Sequence, residues 1–234
     1  DTYLNQDHHM FTKENFKIMG DLLQEKVASG QIPENARVLD VGCATGALVS
    51  HLKQRFSNMS FLGIDVSEEL VEVAKHKVPN ASFLASGVQE VPTKFSEKFD
   101  VVLCFGVLGI FDEIEAEDAV LNMLSVTKRN GFAYIFSQFN EYDIDVKIRH
   151  RRVEEGLEWQ EWGVGWNNYS FQTVLNWVSG KAANVRFIDF NMPVPIEPKE
   201  NPIRSWTFMT HDGGLKLTNG LKIMIDFRFC EIEV

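Results

Sequence analysis

Five short apolar runs, separated by amphipathic stretches, fill the segment between Arg37 and Phe136, and this alternation most restricts what the chain can fold into. The runs are Arg37–Val41, Ser60–Ile64, Ser82–Leu84, Phe99–Phe105 and Phe132–Phe136. Between them, Gly46–Phe56 turns Leu48 and Leu52 to one side, and Glu68–Lys77 does the same with Leu70, Val71 and Ala74. Ala116–Thr127 completes the set, and Thr12 opens a further helix ahead of it that carries Phe16, Met19, Leu23 and Val27 on one face. Strands that alternate with helical periods predict an α/β fold with a mostly parallel sheet and helices on both faces. The near-continuous apolar run at Phe99–Phe105 is the expected form of a central strand covered on both sides.

Beyond Gln138 the period is lost. Asn140–Trp166 is charged and aromatic without regular spacing, and connections of this length usually carry function, so 138–170 reads as a substrate or lid insertion. Ser170–Val178 reads as a helix and Val185–Phe190 as a strand, while Met192–Pro202 holds four prolines and reads as loop. An antiparallel β segment over 200–234 closes the chain, with turns at Asp212-Gly213-Gly214 and Asn219-Gly220 and a last strand expected at Leu221–Phe229. The 234 residues fit one domain with a core at 36–137.

Composition bears mainly on partners. Thirty-three acidic against 23 basic residues give a net charge of −10, which argues against a nucleic-acid binder. No apolar run reaches the ~20 residues of a membrane helix. The three cysteines, Cys43, Cys104 and Cys230, are odd in number and far apart, unlike a disulfide framework or a zinc site, so a cytoplasmic protein is expected.

The sharpest local signal is Val38-Leu39-Asp40-Val41-Gly42-Cys43-Ala44-Thr45-Gly46-Ala47-Leu48: a strand, a loop of small residues, then a helix. Gly42, Ala44 and Gly46 let a ligand lie against the backbone, where the amides opening the helix present partial positive charge. A dinucleotide site spaces its glycines G-x-G-x-x-G for a pyrophosphate. Here small residues fall at every second position after an acid, which disfavours a nicotinamide dehydrogenase.

On these residues the chain resembles the class I S-adenosylmethionine-dependent methyltransferases, with Ala44 in place of the usual middle glycine. The resemblance implies a Rossmann-like, seven-stranded, mostly parallel sheet, to which the C-terminal antiparallel segment is an addition. It also implies S-adenosylmethionine as cofactor, with S-adenosylhomocysteine as product. Asp65, at the end of Phe61-Leu62-Gly63-Ile64-Asp65, then has the role of accepting the ribose hydroxyls, with Val66 beside the adenine. Gly87 and Val88 follow the third run; family members commonly carry an Asp where Gly87 stands, so adenine recognition here falls to the Val88 amide, Ser86 or Gln89. Cys104 and Phe105, closing the fourth run, would touch the cofactor.

The acceptor is less defined. No metal site is expected, because Cys104-Phe105 and Ser137-Gln138-Phe139 offer no carboxylates where metal-using relatives hold an ion. Arg149-His150-Arg151-Arg152 is the one basic cluster, and with Trp166, Asn140 and Tyr142 it points to a small polar, anionic acceptor. His150 and His9 are the candidate bases, since an imidazole titrates near neutral pH. The expected reaction is O-methylation of a carbohydrate or related intermediate. N-methylation of an amino sugar and a non-catalytic nucleoside-binding protein stand as alternatives, and the sequence leaves a homo-oligomer open.

Overall fold

The computed structural model describes residues 13–96, 98–151, 153, 162–197, 205–219 and 224–234. In chain order the elements are α1 (Glu14–Ala28), β1 (Arg37–Val41), α2 (Ala47–Arg55), β2 (Ser60–Asp65), α3 (Glu68–Lys77), β3 (Ser82–Ala85), α4 (Val91–Lys94), β4 (Phe99–Phe105), α5 (Glu113–Val126) and β5 (Thr127–Asn140). There follow β6 (Arg149–His150), β7 (Gly163–Val164), β8 (Tyr169–Ser170), α6 (Phe171–Trp177), β9 (Asn184–Asp189), β10 (Ser205–Met209), β11 (Leu215–Asn219), β12 (Met224–Ile225) and β13 (Phe227–Glu233).

The main sheet has the order β3-β2-β1-β4-β5-β13-β9, with β8 paired to the end of β5. The first five strands of this order run parallel, and β13 is antiparallel to both β5 and β9. Strand residues alternate between two cores, as the two-residue period of a strand requires. Val38, Val101, Leu103, Phe132 and Tyr134 pack under α1, α2 and α3 with Met19, Leu23 and Leu52. Leu39, Val102, Cys104, Ala133 and Ile135 pack under α5 and α6 with Val120, Met123 and Trp177. The expected seven-stranded, mostly parallel α/β sheet with helices on both faces is therefore the observed architecture. The added antiparallel segment is the small sheet β10-β11-β12, which sits in the chain between β9 and β13.

Three boundaries differ from the sequence reading. β5 begins at Thr127 rather than Phe132, passing through the expected Asn130-Gly131 turn with Asn130 at φ +62°. The last strand is Phe227–Glu233, six residues later than expected; Leu221 to Ile223 lie outside the described residues. The strand runs on past Phe229 because its charged residues are paired: Glu231 meets Lys26 at 3.3 Å and Arg186 at 3.2 Å, and Arg228 meets Asp189 at 3.0 Å and Glu141 at 2.8 Å. Finally, α5 starts three residues early, because Asp112 accepts from the Glu115 amide at 3.0 Å while the Glu115 carboxylate accepts from the Asp112 amide at 3.2 Å. That reciprocal cap satisfies two otherwise orphaned donors.

Candidate active site

Strand β1 ends at Val41, and the backbone must then turn sharply to enter α2. Gly42, Ala44 and Gly46 adopt φ of +74°, +46° and +75°, so alternate residues of the loop are left-handed. For glycine this costs little, whereas an alanine pays for its Cβ. Ala44 is held there by its amide, which donates to Asp65 Oδ2 at 2.9 Å. Two further donors, the amides of Gly42 and Cys43, reach the Ile64 carbonyl at 2.8 and 2.9 Å. Space adds a second constraint at Gly42, where a Cβ would stand 2.3 Å from Val107 Cγ2.

Asp65 thus ties the end of β2 to the loop after β1. Its Oδ1 accepts from the Ser67 amide at 3.0 Å, while Ser67 itself caps α3 through the Leu70 amide. Each carboxylate oxygen keeps a lone pair for a ligand hydroxyl. Beneath the loop lies Asp40, buried, with Oδ2 lacking any hydrogen-bond partner. Burial, with the nearby Asp65 charge second, pushes its carboxyl up to about 8. A buried carboxyl so placed is suited to a cationic ligand, which would favour its ionised form.

A cavity of about 970 Å³ opens along the carboxyl edge of the sheet, the place where open α/β sheets hold ligands. At one end its wall is made by Asp40, the Gly42–Thr45 loop, Asp65 with Val66, and the Ser86–Gln89 turn. Of the expected cofactor residues, Asp40, Gly42, Ala44, Asp65, Val66, Gly87, Val88 and Phe105 line it. Gly46 and Cys104 stand behind the wall: a Cβ at Gly46 would meet Phe83 and Ala74, and Cys104 packs in the core with its thiol raised to about 12 by burial. Cys43 does line the cavity, but burial also raises its thiol, so both cysteines are packing groups.

Val66 projects from the β2 loop with 78% of its surface exposed, an apolar lip beside this end. At the Ser86–Gln89 turn the missing acid has a partial substitute one turn on. Glu90 accepts from the Ser86 hydroxyl at 3.0 Å and the Gly87 amide at 3.1 Å, fixing the turn rather than facing the cavity.

The described part of the 138–170 insertion lies away from the cavity wall. Asn140 is a tie within the loop, donating to Asn168 Oδ1 at 2.7 Å and to the Ile144 carbonyl at 3.1 Å. Tyr142 is exposed, and Arg149 and His150 sit on the exposed strand β6, paired with β7. His150 packs on Trp166, ring centroids 4.8 Å apart. His9 and Arg152 lie outside the described residues. Among the described residues, no group of three or more His, Cys, Asp or Glu is placed to hold a metal ion, and no helix is long and apolar enough to cross a membrane.

The far end of the cavity uses residues that the sequence reading passed over. Phe16 comes from α1, Phe136 from β5, Phe190 and Met192 from the loop after β9, and Phe227 from the start of β13. Lys13 and the first turn of α1, Glu14 to Lys17, line the same opening. The count of eighteen phenylalanines was the only sequence sign of this wall.

A sheet in the order seen here, with one antiparallel strand near its edge and a ligand loop after β1, defines a class I methyltransferase fold. Residues 38–131 match the family described as "Methyltransferase domain". A ubiquinone/menaquinone biosynthesis C-methyltransferase from Campylobacter jejuni is 27% identical over 126 residues, covering 47% of this chain and 53% of that protein. The chain therefore spans about half the length of the curated relatives it matches first. Over its full extent the fold resembles that of an S-adenosylmethionine-dependent methyltransferase from Clostridium acetobutylicum, with a TM-score of 0.62 and 12% identity over 97% of this chain and 95% of the other. Magnesium protoporphyrin IX methyltransferase from Synechocystis, crystallised with S-adenosylmethionine, superposes with a TM-score of 0.54 and 15% identity over 94% of this chain and 79% of its own.

Proposed function

We propose that this chain is an S-adenosylmethionine-dependent methyltransferase acting on a small molecule. The observation that carries the reading is the joined pair of β1 and β2 loops: a left-handed small-residue loop, held by Asp65, above the buried, unpartnered oxygen of Asp40. These residues fit the cofactor in three respects. Asp65 retains lone pairs for ribose hydroxyls. The backbone amides of Val88 and Gln89 and the apolar Val66 suit a purine. Asp40 supplies a negative charge for a ligand that carries positive charge.

When bound, S-adenosylmethionine supplies a methyl group on a sulfonium centre, already strongly electrophilic. The chain's part is then to align the acceptor and exclude water, effects that supply much of the barrier reduction in such transfers. Phe105 and Phe136, stacked with centroids 5.5 Å apart, close the cavity on the sheet side.

The expectation of an anionic carbohydrate acceptor rested on the Arg149–Arg152 cluster. Arg149 is exposed outside the cavity wall, so this cluster lends that acceptor no support. A nucleoside-binding protein without catalysis would share the cofactor end, and methyl transfer separates it from an enzyme. The test is calorimetry and thermal melting with S-adenosylhomocysteine, which should bind and raise Tm, as does any ligand selective for the folded state. Absence of binding, or equal binding of NAD, would overturn the reading.

A further inference from the structure

The cavity is divided by polarity along the sheet. Its β3-β2-β1 end carries the carboxylates, hydroxyls and open amides, whereas its β4-β5-β13-β9 end is apolar. Phe105, Phe136, Phe227 and Phe190 form a continuous set of rings there. Phe136 stacks on Phe227 at 4.7 Å and 20°, lies over Phe105 at 27°, and meets Phe190 edge-on at 5.1 Å and 83°. Val194 and Ile196, from the loop after β9, extend the apolar lining. That loop is held to β10: the Ile196 amide donates to the Thr207 hydroxyl at 2.7 Å, and the Thr207 amide donates to the Ile196 carbonyl at 3.0 Å. Val194 keeps 58% of its surface exposed at the rim of this wall, where it can be replaced without disturbing the core.

We propose that this half of the cavity is the acceptor site and that the acceptor is a flat, uncharged aromatic or conjugated molecule. The inference rests on the methyltransferase reading above and names the substrate class of that same site. Phe105 and Phe227, the partly exposed members of the set, offer apolar ring surface on which an aromatic group can pack, backed by the buried rings of Phe136 and Phe190. A sugar would stack one face on such a wall, but its hydroxyls would meet Phe190, Val194 and Ile196 side chains and forfeit their hydrogen bonds on leaving water. The two cations near the opening are both engaged, Lys17 with Glu14 at 3.0 Å and Lys13 over the Phe16 ring at 5.4 Å, and neither reaches in among the Phe105, Phe136 and Phe227 rings in the described contacts.

The experiment titrates 2-naphthol and glucuronate into the full chain saturated with S-adenosylhomocysteine, followed by calorimetry. The expected result is binding of 2-naphthol and none of glucuronate. Val194→Asp should weaken 2-naphthol at least tenfold and leave the affinity for S-adenosylhomocysteine within twofold, while Val194→Leu keeps parental binding of both. Val194 is exposed, so neither change endangers folding. Glucuronate binding without 2-naphthol, or a Val194→Asp protein that binds 2-naphthol like the parent, would overturn this inference alone. Failure of S-adenosylhomocysteine to bind would overturn the methyltransferase reading and the assignment as an acceptor site with it.

Discussion

At the β1–β3 end of the cavity the wall is backbone and carboxylate, contributed by three loops that lie between Asp40 and Gln89 in the sequence. At the β4–β9 end it is ring surface, brought together from Phe16, Phe105, Phe136, Phe190 and Phe227, which span nearly the whole chain. The first end makes demands on particular positions: a left-handed φ at Gly42, no room for a Cβ there, and a carboxylate within reach of the Ala44 amide. The second asks only that a residue be large and apolar. Strict local geometry leaves a sequence signature, and loose non-local packing does not.

The contrast can be broken most directly at Gly42. Gly42→Ala places a methyl 2.3 Å from Val107 Cγ2 on a left-handed backbone, so it should lower stability by roughly 2–5 kcal/mol in urea unfolding. A loss below 1 kcal/mol would mean that the loop relaxes freely and that its geometry makes no demand. Asp65→Ala should weaken S-adenosylhomocysteine by about 2–4 kcal/mol, or roughly 30- to 700-fold in Kd, since it removes charge-assisted hydrogen bonds and the tie to Ala44. Unchanged calorimetric affinity would leave Asp65 as a loop fastener only.

A smaller effect sharpens the comparison through pH. The Asp40 carboxyl ionises near 3.8 when unfolded and near 8 when folded, so folding takes up a proton between these values. The stability it contributes is complete below about pH 4 and declines as pH rises towards 8. Asp40→Asn should flatten that decline in denaturant midpoints measured from pH 5 to 8. A cation bound above Asp40 favours its ionised form, so S-adenosylmethionine affinity should rise over the same interval by no more than tenfold per pH unit, the limit for loss of one proton. An identical slope in parent and Asp40→Asn proteins would place the titration elsewhere.

The fold was legible because its cues are local. Apolar runs at Val38, Phe61, Phe99 and Ala133 gave the parallel strands, and their helices followed from 3.6-residue spacing. The end of the sheet was harder, because the partners that let Arg228 and Glu231 lie in a buried strand, Asp189, Glu141, Lys26 and Arg186, are distant in sequence and meet them only in the fold. The same holds for the site. The cofactor end was visible in Asp40, Gly42 and Asp65, whereas the basic cluster at Arg149 drew attention to an exposed strand. The pocket-lining Phe190 was read only as the end of a strand and Val194 as part of a proline-rich loop, because nothing in their neighbours marks them as site residues.

Strand β9 ends at Asp189, which pairs directly with Arg228 near the start of β13. The chain between them, residues 190–226, therefore departs from the sheet and returns to it at adjoining points. It supplies Phe190, Val194, Ile196 and Leu217 to the cavity without contributing to β1–β5. Topologically this is a detachable module: a different insert between the same two strand ends would present other side chains to the cavity while leaving the loops around Gly42 and Asp65 in place.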